Sequence, residues 1–91
     1  MAIEVRVPTV LRKHTAGERR VSAEGDDLRG LIDDLGSRHD GLRGALVADD
    51  GSLHRFINVY VNDEDVRFIK GIDTPLNDGD VVSILPAVAG G

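Results

Sequence analysis

The 91-residue chain predicts an α+β fold, a mixed sheet of four to five strands covered on one face by one helix. Three patterns carry that expectation. Apolar residues alternate near both ends of the chain, at Ile3, Val5 and Val7 and again at Val82 and Ile84. A helical stripe, Leu28, Leu31, Ile32 and Leu35, falls between them at spacings of three, four and seven. The clearest alternating run in the chain, Phe56 to Asn62, then follows in the second half.

Taken in order, Ile3 to Val7 reads as a half-buried strand that closes at Pro8, and Arg12 to Gly17 as a polar turn. Glu18 to Ser22 resumes extended character around Val21, so the first two strands form a hairpin. Asp26 and Asp27 are capping residues for a helix that ends near Arg38 to Asp40, before Gly41. Gly30 and Gly36 each weaken that helix by roughly 1 kcal/mol relative to alanine. Gly41 to Ser52 reads as a loop with room for one helical turn. Phe56 to Asn62 is a strand, Asn62 to Asp65 a turn, and Val66 to Ile69 a short strand after it. Asp80 to Leu85 is the last strand, stopped by Pro86. Two strands, one helix and three further strands make the β-grasp, or ubiquitin-like, arrangement. Residues 1–86 form that domain, and residues 87–91 are expected to be a flexible Gly-Gly tail.

Composition narrows the function. A net charge of −5 argues against nucleic acid and against an anionic membrane surface, both of which call for a basic face. The absence of cysteine excludes a disulfide framework, a thiolate metal site and a cysteine nucleophile. With no signal-peptide pattern and no long apolar run, a cytoplasmic protein, monomeric on its own, is the expectation. His14, His39 and His54 are far apart, with no recurring carboxylate at ligand spacing, so a metal site is not expected. Asp63-Glu64-Asp65 lacks the spaced ligands and glycine of a calcium loop. Asp49-Asp50-Gly51 is a turn, Gly25 and Gly30 do not make a phosphate loop, and no Ser-His-Asp set has a supporting signature.

Two features can carry chemistry or binding. The first is the sequence Ala87-Val88-Ala89-Gly90-Gly91. Val88, Ala89 and Gly90 make a thin arm that can thread a narrow enzyme channel, and Gly91 presents an unhindered carboxylate that cannot racemise when activated. Glycine also reaches backbone conformations closed to other residues. Taken alone, such an end is more often just a frayed terminus; after a β-grasp pattern it reads as functional. The second feature is a docking face. If Ile57, Val59, Val61, Val82 and Ile84 point at the helix, then Phe56, Tyr60, Val81 and Leu85 point away and form an aromatic and aliphatic patch. A register slip of one residue would exchange the two sets.

The stretches VPTVLRKHTAGERRVSAEGDDL (7–28), LHRFINVYVNDEDVRF (53–68) and DGDVVSILPAVAGG (78–91) resemble the ubiquitin-like sulfur carriers. That family includes the small subunit of molybdopterin synthase and the thiamine-thiazole carrier, and the likeness is strongest to its actinobacterial branch serving cysteine biosynthesis. The resemblance implies a protein that is not itself an enzyme and binds no cofactor. An E1-like activating and sulfurtransferase enzyme would use ATP to adenylate the Gly91 carboxylate, and sulfur would replace the adenylate to give a thiocarboxylate. In this branch the sulfur attacks an aminoacrylate on a cysteine synthase that depends on pyridoxal phosphate, and a JAMM-type zinc peptidase releases cysteine. Three rivals stand beside this expectation: the sister pathways to molybdopterin or thiamine, a ubiquitin-like protein modifier, and a binding module whose Gly-Gly end is idle.

Overall fold

A computed structural model of the protein describes residues 2–86. The expected tail, residues 87–91, lies outside the described residues.

Strand β1 (Ala2–Arg6) pairs antiparallel with β2 (Arg20–Glu24), with Ile3 opposite Ala23 and Val5 opposite Val21. The second strand therefore lies two residues later than the sequence suggests, because its register follows β1. The connection is more than a turn: Thr9–His14 winds a 3-10 helix that buries Leu11. Behind it the Thr15 hydroxyl, buried, donates to the carbonyl oxygen of Glu18 at 2.7 Å, which meets the demand that a buried polar group be hydrogen-bonded.

Helix α1 (Leu28–Arg38) starts where expected. Asp27 is extended, and its carboxylate accepts the Gly30 N–H at 2.8 Å, satisfying one of the orphan donors of the first turn. Leu28, Leu31, Ile32 and Leu35 are all buried. The two glycines that flank this stripe are placed by packing. A Cβ on Gly36 would stand 2.6 Å from the Cβ of Arg43, so glycine lets the short helix α2 (Leu42–Leu46) approach α1 closely. A Cβ on Gly25 would run into the backbone of Leu31, so glycine there lets the chain turn tightly into the helix.

Strand β3 (Ile57–Val61) is joined to β4 (Glu64–Asp65) by the two residues Asn62 and Asp63, with φ of 50° and 73°. Two consecutive left-handed residues match the twist of a tight hairpin, and Asn and Asp tolerate that conformation best. The Asn62 side chain fastens the turn: its Nδ2 donates to Asp80 Oδ1 at 2.9 Å and its Oδ1 accepts the Val81 N–H at 3.0 Å. The strand expected at Val66 to Ile69 is instead a 3-10 turn at Val66–Phe68. The Asp65 carboxylate accepts the Arg67 N–H at 2.9 Å and winds the backbone there. Val66 plugs the core while Phe68 is 85% exposed.

The last strand, β5 (Val81–Pro86), enters the middle of the sheet, giving the order β2-β1-β5-β3-β4. It runs parallel to β1 and antiparallel to β3. Pro86 is its final residue, opposite Ile57. Ile3, Val5, Val59, Val61, Val82 and Ile84 form the sheet side of one aliphatic core closed by α1, α2, Leu11, Val66 and Leu76. This is the β-grasp architecture expected from the sequence, with five strands.

Candidate functional site

Alternation along β3 and β5 decides what the open face presents. Val59, Val61, Val82 and Ile84 are buried beneath α1, so Asn58, Tyr60, Val81, Ser83 and Leu85 occupy the other face. Tyr60 stands opposite Ser83, which places Val81 and Leu85 on its diagonals, within reach of an aromatic ring. Tyr60 and Val81 are half-buried, and Leu85 is 47% exposed. Phe56 lies one residue before β3, beside the end of β5, and is 70% exposed. The sequence placed it within the strand; it belongs to the turn before it. Three of the four residues expected to dock a partner thus share the open face, and Phe56 extends the patch toward Pro86.

The structure adds a feature that the sequence reading missed. Beside Tyr60, Ser83 and Leu85 lies an open groove of about 660 Å³, whose other bank is formed by Arg6, Arg12, Arg19 and Arg20. Arg6 and Arg20 are direct cross-strand partners on β1 and β2. Arg6 Nε donates to Glu4 at 3.0 Å and Arg12 Nε to the carbonyl oxygen of Val7 at 3.1 Å. Among the described residues, Arg19 and Arg20 form no ion pair. Asp63 is the one acid on the groove wall. A signal existed in the sequence. Residues 6–20 hold five basic side chains (Arg6, Arg12, Lys13, Arg19, Arg20) against Glu18 alone. That is +4 in a chain of −5, leaving −9 for the rest.

Perturbed carboxylates lie elsewhere. Hydrogen bonds from the Arg67 guanidinium, 2.7 Å at the nearest, hold the Asp65 carboxyl below its usual range. The backbone N–H of Glu24 does the same for Asp34, aided by Arg38. Both are structural clamps. No cluster of three or more His, Asp or Glu capable of holding a metal occurs among the described residues, and no described helix is long and apolar enough to cross a membrane. Val88, Ala89, Gly90 and Gly91 lie outside the described residues. What the structure does place is their point of departure: the end of the central strand, beside the Phe56–Leu85 patch and the groove.

A β-grasp domain with an exposed aromatic and aliphatic patch on its open face, its chain leaving from the central strand, is a ubiquitin-like protein. The model of the ThiS family matches residues 5–91, and the chain belongs to that family. It is 53% identical over 93 residues to the sulfur carrier protein CysO of Mycobacterium tuberculosis, covering all of both chains. It superimposes on a chain of the Amycolatopsis orientalis BexX/CysO complex with a TM-score of 0.91 at 55% identity, covering 98% of this chain and 99% of that one. It is also 34% identical over 94 residues to the small archaeal modifier protein 3 of Haloferax volcanii, again over the full length of both.

Proposed function

We propose that this protein is a sulfur carrier of the cytoplasm, loaded as a thiocarboxylate on Gly91 and serving cysteine biosynthesis. The observation that carries the reading is the end of β5: the central strand finishes at Pro86 beside an exposed apolar patch, and the sequence continues from there into five residues that close in Gly90-Gly91. The full-length likeness to a protein named a sulfur carrier supports it. So does the likeness to a CysO chain seen in a complex with BexX.

The chemistry follows from the carboxylate. A carboxylate is a poor electrophile. An activating enzyme joins it to AMP from ATP and releases pyrophosphate, and a sulfur donor then displaces AMP. The product thiocarboxylate is ionised at neutral pH and nucleophilic at sulfur. It adds to an aminoacrylate held on the pyridoxal phosphate of a cysteine synthase; the thioester rearranges to an amide, and a zinc peptidase of the JAMM type hydrolyses it. Catalytic groups belong to those partners, and this chain acts as their covalent substrate. Val88, Ala89 and Gly90 thread the partner's active site, while Phe56, Tyr60, Val81 and Leu85 seat the domain. Residues 87–91 act as an arm separate from the domain of residues 1–86.

Intact mass spectrometry of the chain incubated with an activating enzyme, ATP and a sulfide source is expected to show one oxygen exchanged for sulfur. Deleting Gly91, or adding one residue after it, is expected to abolish the exchange and leave the thermal midpoint unchanged; loading that survives either change overturns the proposal. The likeness to an archaeal modifier favours a second reading, in which Gly91 is joined to lysines of other proteins. Isopeptide-linked peptides ending in Gly90-Gly91, found on many host proteins without any cysteine adduct, would establish that reading instead.

A further inference from the structure

Half of the arginine bank, Arg19 and Arg20, has no ion pair among the described residues to explain it. Arg6 and Arg20 face each other across β1 and β2, and like charges directly opposite destabilise a sheet. Glu4 neutralises Arg6 alone. A chain with sixteen acids has ample means to balance these positions, yet it places serine at 22 and 83 and leaves Arg19 and Arg20 without an ion pair among the described residues. The opposite bank is of another kind, a tyrosine ring and a leucine.

A groove with one cationic and one apolar wall fits an extended segment that alternates carboxylates with apolar side chains. It suits nucleic acid poorly, because the rest of the chain carries −9 and Asp63 stands in its wall. It suits a free small anion poorly too. Three of the four arginines are exposed, where water and salt screen them. A protein surface laid over the groove would expel that water and strengthen each pair.

We infer that the groove between Arg6, Arg12, Arg19 and Arg20 and the Tyr60–Leu85 bank docks an acidic, apolar-bearing segment of a protein partner. The carboxylates of that segment pair with the guanidinium groups, and its apolar side chains rest on Tyr60 and Leu85. Because Ser83 and Leu85 lie on the strand that ends at Pro86, the seated segment lies beside the departure of residues 87–91. That the partner is the enzyme that loads Gly91 rests on the function proposed above; the groove's preference for an acidic segment does not.

The test uses the full chain, isotope-labelled for NMR and titrated with a synthetic peptide alternating Glu or Asp with Leu or Phe. Parallel titrations use the same peptide with lysine at every acid, inorganic phosphate, ATP and a single-stranded oligonucleotide. The acidic peptide is expected to shift the amides of Arg19, Arg20, Ser83 and Leu85 and to lose about tenfold in affinity between low and high salt. Arg19→Glu with Arg20→Glu is expected to weaken it by a further tenfold or so at a thermal midpoint no lower than the parent's, since a glutamate at position 20 relieves the like-charge pairing with Arg6, and Arg19→Lys with Arg20→Lys to retain most of the binding. In the loading assay the reversed pair is expected to raise the activating enzyme's KM for the carrier about tenfold while kcat holds. No peptide binding, shifts outside the groove, indifference to charge reversal, or tighter binding of phosphate, ATP or oligonucleotide each overturns the inference, and an unchanged KM overturns the loading enzyme as the partner that docks there. A chain that binds the acidic peptide at the groove but never takes up sulfur overturns the carrier proposal and leaves the groove preference standing.

Discussion

One sheet presents two unlike faces. Toward α1 it offers Ile3, Val5, Val59, Val61, Val82 and Ile84, all buried against an aliphatic helix stripe. Away from α1 the alternate positions of the same strands hold Glu4, Arg6, Tyr60, Val81, Ser83 and Leu85, none of them buried. The period of two lets neighbouring residues serve separate ends: stability on one side and, in the proposed function, recognition on the other. Substitutions should therefore separate cleanly, with closed-face changes costing stability and open-face changes costing binding.

The largest effect is expected on the closed face. Leu31→Ala empties a fully buried position and should cost about 2–5 kcal/mol, measured by urea unfolding. That is a large share of the roughly 5–15 kcal/mol of a typical domain, and a cost under about 1 kcal/mol would mean that the closed face does not carry the stability. Tyr60→Ala, on the open face, should weaken binding to the activating partner by about tenfold or more while costing less than about 3 kcal/mol of stability. A larger stability loss with unchanged binding would move Tyr60 to the structural side. Asp27→Ala touches neither face but the start of the helix that separates them. It should cost about 1 kcal/mol, with Asp27→Asn close to neutral by the same unfolding assay.

The smallest expected effect is on acid stability. Asp65 sits at the open-face edge, opposite Tyr60, and Arg67 holds its carboxyl below the usual range. Its folded pKa is thus below its unfolded value of about 4, so its contribution is present above pH 4 or so and fades as pH falls through the folded value. Asp34 titrates in the same sense from its clamp between Glu24 and Arg38. Asp65→Asn should lower the thermal midpoint slightly near pH 7, where the carboxylate's contribution is present, and flatten the fall below about pH 4, as calorimetry across that range would show.

Most of the fold was legible because its signals are local. The capping residue Asp27, the stripe from Leu28 to Leu35 and the alternation through Ile57 to Val61 each lie within a few residues and came out as read. The misreadings fall where a side chain overrides the backbone pattern. Asp65 draws the Arg67 N–H into a 3-10 turn, and an apolar run that reads as a strand winds up instead. The second strand was displaced by two residues because β1, not its own composition, sets its register. At the candidate site, Tyr60, Val81 and Leu85 were legible from alternation alone. The arginine groove was not, since it needs residues 6–20 brought against residues 60 and 83–85. The charge run itself was visible, but a run has no address until the sheet is assembled.

By itself, then, the sequence determined what each segment could be. It set which residues alternate, which form a helical stripe, that no cysteine is present, and that the described domain is followed by small residues closing in Gly90-Gly91. Only the tertiary structure decided where the last strand goes. β5 enters between β1 and β3, parallel to a strand more than seventy residues away in sequence. That choice gathers the Tyr60–Leu85 patch, the arginine bank and the departure of the chain at one end of the open face. Periodicity records local burial, whereas strand pairing is selected by closing a long loop around a shared core, and a local pattern holds no record of its partner.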